Sequence, residues 1–248
     1  MNLLDILGIL LDNLYMIDKN NKYTKMQLSQ YDAEAQTWSE SNRDPVVGGF
    51  DAHNVWEDYH LLFTEIADPS EKIAIDFGCG PGRNLVKYKD FFKRLDGVDI
   101  SPVNIEKAKS YTSNNGITDI NLYTNNGVDL QCIDSNVYDV VMSTIALQHI
   151  CVYDIRKSYF KEFHRILKND GIFTAQMGYG NRTHNAVDYY DNFYNALGTN
   201  SACDTRVTSP EQLEKDLMEI GFKNFKYTIA KTGPGDSHPN WIYFNAKK

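Results

Sequence analysis

The sequence predicts an α/β fold, a mostly parallel sheet with helices on both faces. Three observations lead there. A short apolar run, Ile73 to Phe77, enters three glycines at alternate positions, Gly78, Gly80 and Gly82, and a helix-period segment over 84–92 follows at once. That is strand, tight turn, helix. From Arg94 to Met177, apolar runs alternate with amphipathic ones, the rhythm of parallel strands joined by crossover helices. After a polar, aromatic stretch the rhythm returns at Pro210 with one more helix and two more apolar runs.

Taken in order, 2–17 is rich in Leu and Ile, with Leu3, Leu7, Leu10, Leu14 and Ile17 spaced for one face of a helix. The first expectation is a helix packed on its own domain; the sharper ones are a homodimer contact or a lid. The segment is too short and too charged, with Asp5 and Asp12, to span a bilayer. It also lacks the basic start and small-residue cleavage site of a secretory leader. A second helix is expected over 31–40, a turn-rich loop over 42–49, and a third helix over 54–67 capped by Asn54.

After the glycine turn, the second strand is Arg94 to Asp99. Ser101 caps a helix over 103–114, with Pro102 at its first position. Strands are expected at 120–124 and 137–143, an amphipathic helix at 154–167, a turn at 168–171 and a fifth strand at 172–177. The stretch 178–207 reads as an insertion over the mouth of the sheet. A helix follows from a capping-box candidate at 208–211 to Ile220, stopped by Gly221. Strands at 223–230 and 241–246 close the chain. No repeat or linker divides it, so 1–248 reads as one domain: an N-terminal helical part (1–68), a core (69–177), the insertion (178–207) and a last helix with two strands (208–248).

Net charge is −8 and no Lys/Arg run appears, which argues against a nucleic-acid partner. The four cysteines, Cys79, Cys132, Cys151 and Cys203, show neither a C-x-x-C spacing nor a His pairing. They read as reduced thiols of a cytoplasmic protein, with no metal site.

The glycine turn carries the chemistry. A dinucleotide site wants G-x-G-x-x-G, but Arg83 takes the third glycine's place and Asp76 sits inside the strand. The string Asp-Phe-Gly-Cys-Gly-Pro-Gly-Arg at 76–83 instead resembles the first motif of the class I S-adenosylmethionine-dependent methyltransferases. The resemblance extends over 73–177, through Ser143 to Ile150 and through Phe163 to Phe173, where Asn169 and Asp170 replace the family's usual Pro-Gly. It implies a Rossmann-like seven-stranded sheet with the last strand antiparallel, ligands at the carboxyl ends of the strands, and S-adenosyl-L-methionine as cofactor.

On that resemblance the cofactor lies over Asp76, Gly78, Cys79, Gly80, Arg83 and Asn84. Asp99 lies 17 residues past Gly82, where a carboxylate can accept both ribose hydroxyls, and Ile100 follows it. Asn126 stands where the family has an Asp that meets the adenine amino group. Gly127 would let the Val128 N–H reach a ring nitrogen. Ser143 and Ile145 close the fourth strand beneath the methyl end.

The acceptor is expected to be a small polar molecule, sugar-like or amine-bearing, methylated on O or N. Among the six histidines, His149, past the fourth strand, and His238, before the last, are the candidates for acceptor chemistry. Tyr31, Trp38, Gln148 and Tyr179 are expected to line the acceptor pocket. The N-terminal helical part resembles the cover that family members place over the cofactor. Alternative readings are a protein methyltransferase and a module that binds the cofactor without catalysis.

Overall fold

The computed structural model describes residues 3–37, 59–181, 187–195, 197–198, 201–202, 204–232 and 238–248. One seven-stranded sheet organises them. Its strands are β1 (Ile73–Phe77), β2 (Arg94–Asp99), β3 (Leu122–Thr124), β4 (Tyr138–Thr144), β5 (Leu167–Tyr179), β10 (Lys223–Lys231) and β11 (Asn240–Lys247). They lie in the order β10-β11-β5-β4-β1-β2-β3, and only β11 runs antiparallel to its neighbours. β1 and β2 have the bounds read from the sequence.

The period-2 alternation of each strand divides the core between two faces. Ile75, Phe77, Val141, Phe173 and Ala175 point to one face, where α4 (Tyr153–Ile166) adds Phe160 and Phe163 and α5 (Pro210–Ile220) adds Leu213 and Leu217. Ala74, Val140, Met142 and Ile172 point to the other, against Leu85 of α2 (Arg83–Lys87) and Ile105 and Ala108 of α3 (Pro102–Asn114). Ser101 caps α3 as expected, its hydroxyl accepting from the Asn104 N–H at 3.1 Å.

Five local expectations are corrected. Helix α1 is one helix, Leu3–Thr37, where the reading had two separate ones. The polar stretch around Asp18 and Asn20 does not stop it, because no Gly or Pro lies between 9 and 37. Within 59–67 there is only a 3-10 turn, His60–Leu62, because Leu62 gives its carbonyl to the Thr174 hydroxyl of β5. Helix α2 stops at Lys87, and Tyr88, Phe91 and Phe92 fold back around the Phe63 ring at 4.8 to 5.8 Å. The expected turn at 168–171 belongs to β5 as a register irregularity, with Asp170 at φ +61°. The capping box of α5 lies one residue on from 208–211: Ser209 is the cap and Gln212 its partner, whose Oε1 accepts from the N–H groups of Thr208 and Ser209.

The insertion is pinned to the domain. Short pairs β6 (Val187–Asp188) with β9 (Thr205–Arg206), and β7 (Leu197–Gly198) with β8 (Ser201–Ala202), are its regular structure among the described residues. Fully buried Arg156 of α4 donates to the carbonyls of Ile150 and Tyr189 and to the Thr205 hydroxyl. The Tyr189 hydroxyl, also buried, donates to Asp216 of α5 at 2.9 Å. The loop after β4 and the segment around 204 are thereby held against each other by one guanidinium.

Among the described residues, no helix is long and apolar enough to cross a membrane, and no group of three His, Cys, Asp or Glu is placed to hold a metal.

Candidate active site

The carboxyl ends of β1, β2 and β4 face a cavity of about 360 Å³, and α1 lies across it. The glycine turn forms its floor. Gly78, Gly80 and Gly82 all have positive φ, at +75°, +54° and +94°. A Cβ on Gly78 would stand 2.3 Å from that of Ala146, in the loop after β4, so the turn and that loop touch only because this position has no side chain.

Asp99 ties the turn to its surroundings. One carboxylate oxygen accepts from the Gly80 N–H at 2.9 Å; the other accepts from the Ser101 N–H at 2.9 Å and the Asn104 amide at 3.3 Å. Burial raises its pKa, against the pull of these donors. Ser101 is indeed the cap of α3, which leaves Asp99 lining the cavity.

Beneath the turn, Asp76 is fully buried. Desolvation pushes its carboxyl up to about 7, although the Asn84 amide donates to it at 3.1 Å. The same amide nitrogen lies 3.0 Å from the Thr144 hydroxyl. Asp76 Oδ1, Asn84 Oδ1 and Asn104 Oδ1 are buried acceptors with no hydrogen-bond partner. Asn84 and Asn104 both line the cavity, so they are acceptors facing a ligand site. Cys79 also lines it, its thiol pKa raised by burial and then by Asp99 and Asp76. Arg83 lines it and donates to the Tyr59 hydroxyl at 2.8 Å.

At the end of β4, Ile145 lines the cavity at φ +60°. A β-branched residue there costs on the order of 1–3 kcal/mol, strain of a kind concentrated at functional sites. Thr144 and Ala146 flank it.

Besides Asp76, which lies beneath the turn, four expected cofactor contacts do not line the cavity. Ser143 is fully buried, its hydroxyl donating to the Phe77 carbonyl at 3.0 Å, and does not face the cavity. Asn126 is exposed and caps its own turn, accepting from the Val128 and Asp129 N–H groups. Its neighbour Asn125 lines the cavity instead, held by the Tyr159 hydroxyl at 3.0 Å. Gly127 and Val128 stand off the cavity wall, with Gly127 packed beneath Thr24 of α1. The one-residue shift follows from the chain leaving β3 at Thr124: the Asn125 side chain reaches inward, and the Asn126 side chain folds back on its own backbone.

On the other wall, Gln27, Gln30, Tyr31 and Glu34 come from one face of α1. Tyr31 is where the sequence placed it. Burial, Tyr23 and nearby Glu34 and Asp99 hold its pKa well above the phenol range. Gln27 donates to the His149 carbonyl at 2.9 Å, and Asp32 accepts from the Ser101 hydroxyl at 2.5 Å, which fixes α1 at two loops. Trp38 lies outside the described residues. Gln148 is buried, accepting from the Gly178 N–H at 2.8 Å, and Tyr179 packs against the core; neither lines the cavity.

The two expected histidines meet through a third residue. His149 lines the cavity, and its Nδ1 lies 2.5 Å from Asp204 Oδ1. His238 is buried off the cavity, its Nε2 3.1 Å from Asp204 Oδ2. Asp204, inside the insertion, carried no sequence signal. Nor did Gln27, Gln30 and Glu34, although their spacing with Tyr31 is the i, i+3, i+4, i+7 of one helix face and becomes visible once α1 is read as continuous.

A model of the methyltransferase domain matches residues 75–175. The chain is 26% identical over 117 residues to the uncharacterized methyltransferase YcgJ of Bacillus subtilis, an alignment covering 47% of this chain and 45% of that one. It is 30% identical over 114 residues to human EEF1A lysine methyltransferase 2, covering 42% and 47%. The chain thus spans just under half the length of the curated relatives it matches. Among solved structures, the fold resembles Haemonchus contortus phosphoethanolamine N-methyltransferase 2 in complex with phosphomonomethylethanolamine and S-adenosylhomocysteine. That likeness has a TM-score of 0.59 at 17% identity and covers 76% of this chain and 51% of that one. Sheet order and glycine turn agree with the domain match: residues 75–175 carry a methyltransferase domain of the S-adenosylmethionine-dependent kind.

Proposed function

We propose that this protein transfers the methyl group of S-adenosylmethionine to a small polar acceptor held between the glycine turn and α1. The observation that carries the reading is the cavity itself, which has the turn and Asp99 on one side and His149 and the α1 residues on the other.

The residues fit the cofactor. The turn presents backbone that the positive-φ glycines allow to approach a ligand closely. The unpaired acceptors on Asn84 and Asn104, which line the cavity, suit a ligand bearing an ammonium and hydroxyl groups. Asp99 would take the ribose hydroxyls with its remaining lone pairs, and Asn125, in the place expected of Asn126, would meet the base. When bound, S-adenosylmethionine supplies a methyl carbon on a positively charged sulfur. The chain's part is to place an acceptor in line with that carbon and keep water out, and positioning of this kind supplies most of the rate.

The small-acceptor reading rests on α1. Gln30, Tyr31 and Glu34 line the cavity from α1 and offer polar tips on a partly apolar wall, which suits a small polar molecule. The lysine methyltransferase relative names a protein acceptor, so both classes belong in the assay. Purified protein incubated with methyl-labelled S-adenosylmethionine should label compounds in a mixture of small alcohols and amines. Label appearing only on added proteins would replace this acceptor class, and no label on either would favour the non-catalytic module.

A further inference from the structure

We propose that Asp204 is a positioning residue that makes His149 the general base for an acceptor bearing a removable proton, a hydroxyl or a protonated amine, and that His238 locks Asp204 in place. The proposal rests on the methyl-transfer reading of the cavity and adds to it a proton path and an acceptor class.

Asp204 is 2% exposed, and its two carboxylate oxygens are divided between two imidazoles: Oδ1 lies 2.5 Å from His149 Nδ1 and Oδ2 lies 3.1 Å from His238 Nε2. A carboxylate only accepts, so each of those ring nitrogens carries a proton. In neutral His149 the basic lone pair is then on Nε2, the edge of the ring away from Asp204. The two histidines differ in reach. His149 lines the cavity with about a quarter of its side chain exposed, whereas His238 is 2% exposed and packed on Gly178 and Trp241. Only one of the pair can meet an acceptor; the other can only hold the carboxylate.

The frame around the pair is rigid. Arg156 donates to the Thr205 hydroxyl, one residue past Asp204, and to the Ile150 carbonyl, one residue past His149. Gln27 holds the His149 carbonyl from the α1 side at 2.9 Å. The ionisable groups around His149 are Asp204 with His238 behind it, Tyr31 and Glu34 from α1 across the cavity, Tyr23 under the His149 carbonyl, Asp99, Cys79 and Arg83 at the turn, Tyr159 of α4, and Arg156 beneath.

Balance follows directly. A hydroxyl that gains a methyl cation equivalent must lose one proton to end as a neutral ether; a protonated amine must lose one to expose its lone pair, and then ends as the methylammonium. That proton passes to His149 Nε2, and the resulting imidazolium faces the Asp204 carboxylate, which stays ionised. A carbon acceptor with no acidic hydrogen, or a thioether, would have no use for the arrangement.

The test begins with the full chain labelled with ¹⁵N-histidine, the His149 signals being assigned by their loss in His149→Gln. In the wild type His149 should titrate from imidazolium to the Nδ1–H form. Asp204→Asn should move it to the Nε2–H form that free imidazole favours. S-adenosylhomocysteine, titrated by calorimetry, should bind both proteins alike. With any alcohol or amine that the wild type methylates, Asp204→Asn should lower kcat about 100-fold at unchanged KM and remove the acid limb of the kcat–pH profile; Asp204→Glu should restore part of both. An Nε2–H tautomer in the wild type overturns the proposal without any variant. An unchanged pH profile and kcat in Asp204→Asn also overturns it. Absence of S-adenosylhomocysteine binding in the wild type overturns the cofactor reading, and the relay with it.

Discussion

Two buried carboxylates, Asp99 and Asp76, stand at the glycine turn, and their surroundings differ. Asp99 is buried but bonded to three donors; Asp76 has one side-chain donor and an oxygen with none. Replacing Asp99 by Ala leaves the Gly80 N–H without its acceptor and removes the proposed ribose contact. S-adenosylhomocysteine binding should weaken by about 1–3 kcal/mol, and the variant's melting temperature should fall as well; calorimetry showing an unchanged affinity would reduce Asp99 to a brace for α3. For Asp76 the sign runs the other way from an ordinary paired carboxylate. Its folded pKa, about 7, lies above the ordinary value of 3.8, so the folded state holds a proton that the unfolded state has released. Its contribution therefore favours folding at low pH and is lost as pH rises from about 4 to about 7. Asp76→Asn should remove that slope: urea unfolding at pH 5 and pH 8 should show the variant gaining on the wild type at the higher pH. Equal differences at the two pH values would mean that Asp76 is ionised in the fold.

At the scale of elements, α1 decides whether the cleft is open or covered. Its inner face is fixed by a few polar contacts: Gln27 to the His149 carbonyl, the Tyr23 hydroxyl accepting from the Cys151 N–H at 2.8 Å, and Asp32 to Ser101. Gln27→Ala should cost about 1 kcal/mol and loosen the cover before it unfolds the sheet. Hydrogen exchange should quicken across 18–37 while β1, β4 and β5 stay protected; uniform change across the chain would show α1 to be part of the core. The core strands were legible because their apolar runs are bounded by Gly, Pro and Asx turns, as at Ile73–Phe77 and Arg94–Asp99. What was not legible has a physical cause in each case. The polar middle of α1 has no amphipathic stripe of its own and is helical because nothing stops it. The 168–171 stretch has turn residues and pairs with neither neighbouring strand; it is an irregularity inside β5 between the paired residues Leu167 and Ile172. Helix α2 is short because three aromatic rings past its end prefer Phe63 to another turn.

For the whole molecule, the parallel sheet brings to one edge segments far apart in sequence: the turn at 78–82, Asp99, Asn125, the loop after β4, and α1. The cofactor side was legible because its glycines and Asp99 sit at fixed offsets from strands. On the opposite wall Tyr31 and His149 were legible; Gln27, Gln30 and Glu34 were not while α1 was read as two helices, and Asp204 was not because packing sets its place. Arg156 draws the insertion onto the loop after β4, and so puts Asp204 between two histidines 89 positions apart in the chain. Gln148 was expected at the cavity but is turned by the same loop to bond β5. All of this rests on the cavity over the glycine turn being a site for S-adenosylmethionine. The direct measurement is calorimetric titration of the purified chain with S-adenosylhomocysteine and, separately, with NAD. The account predicts one-to-one binding of the first and no heat from the second. Binding of NAD alone, or of neither, would contradict it.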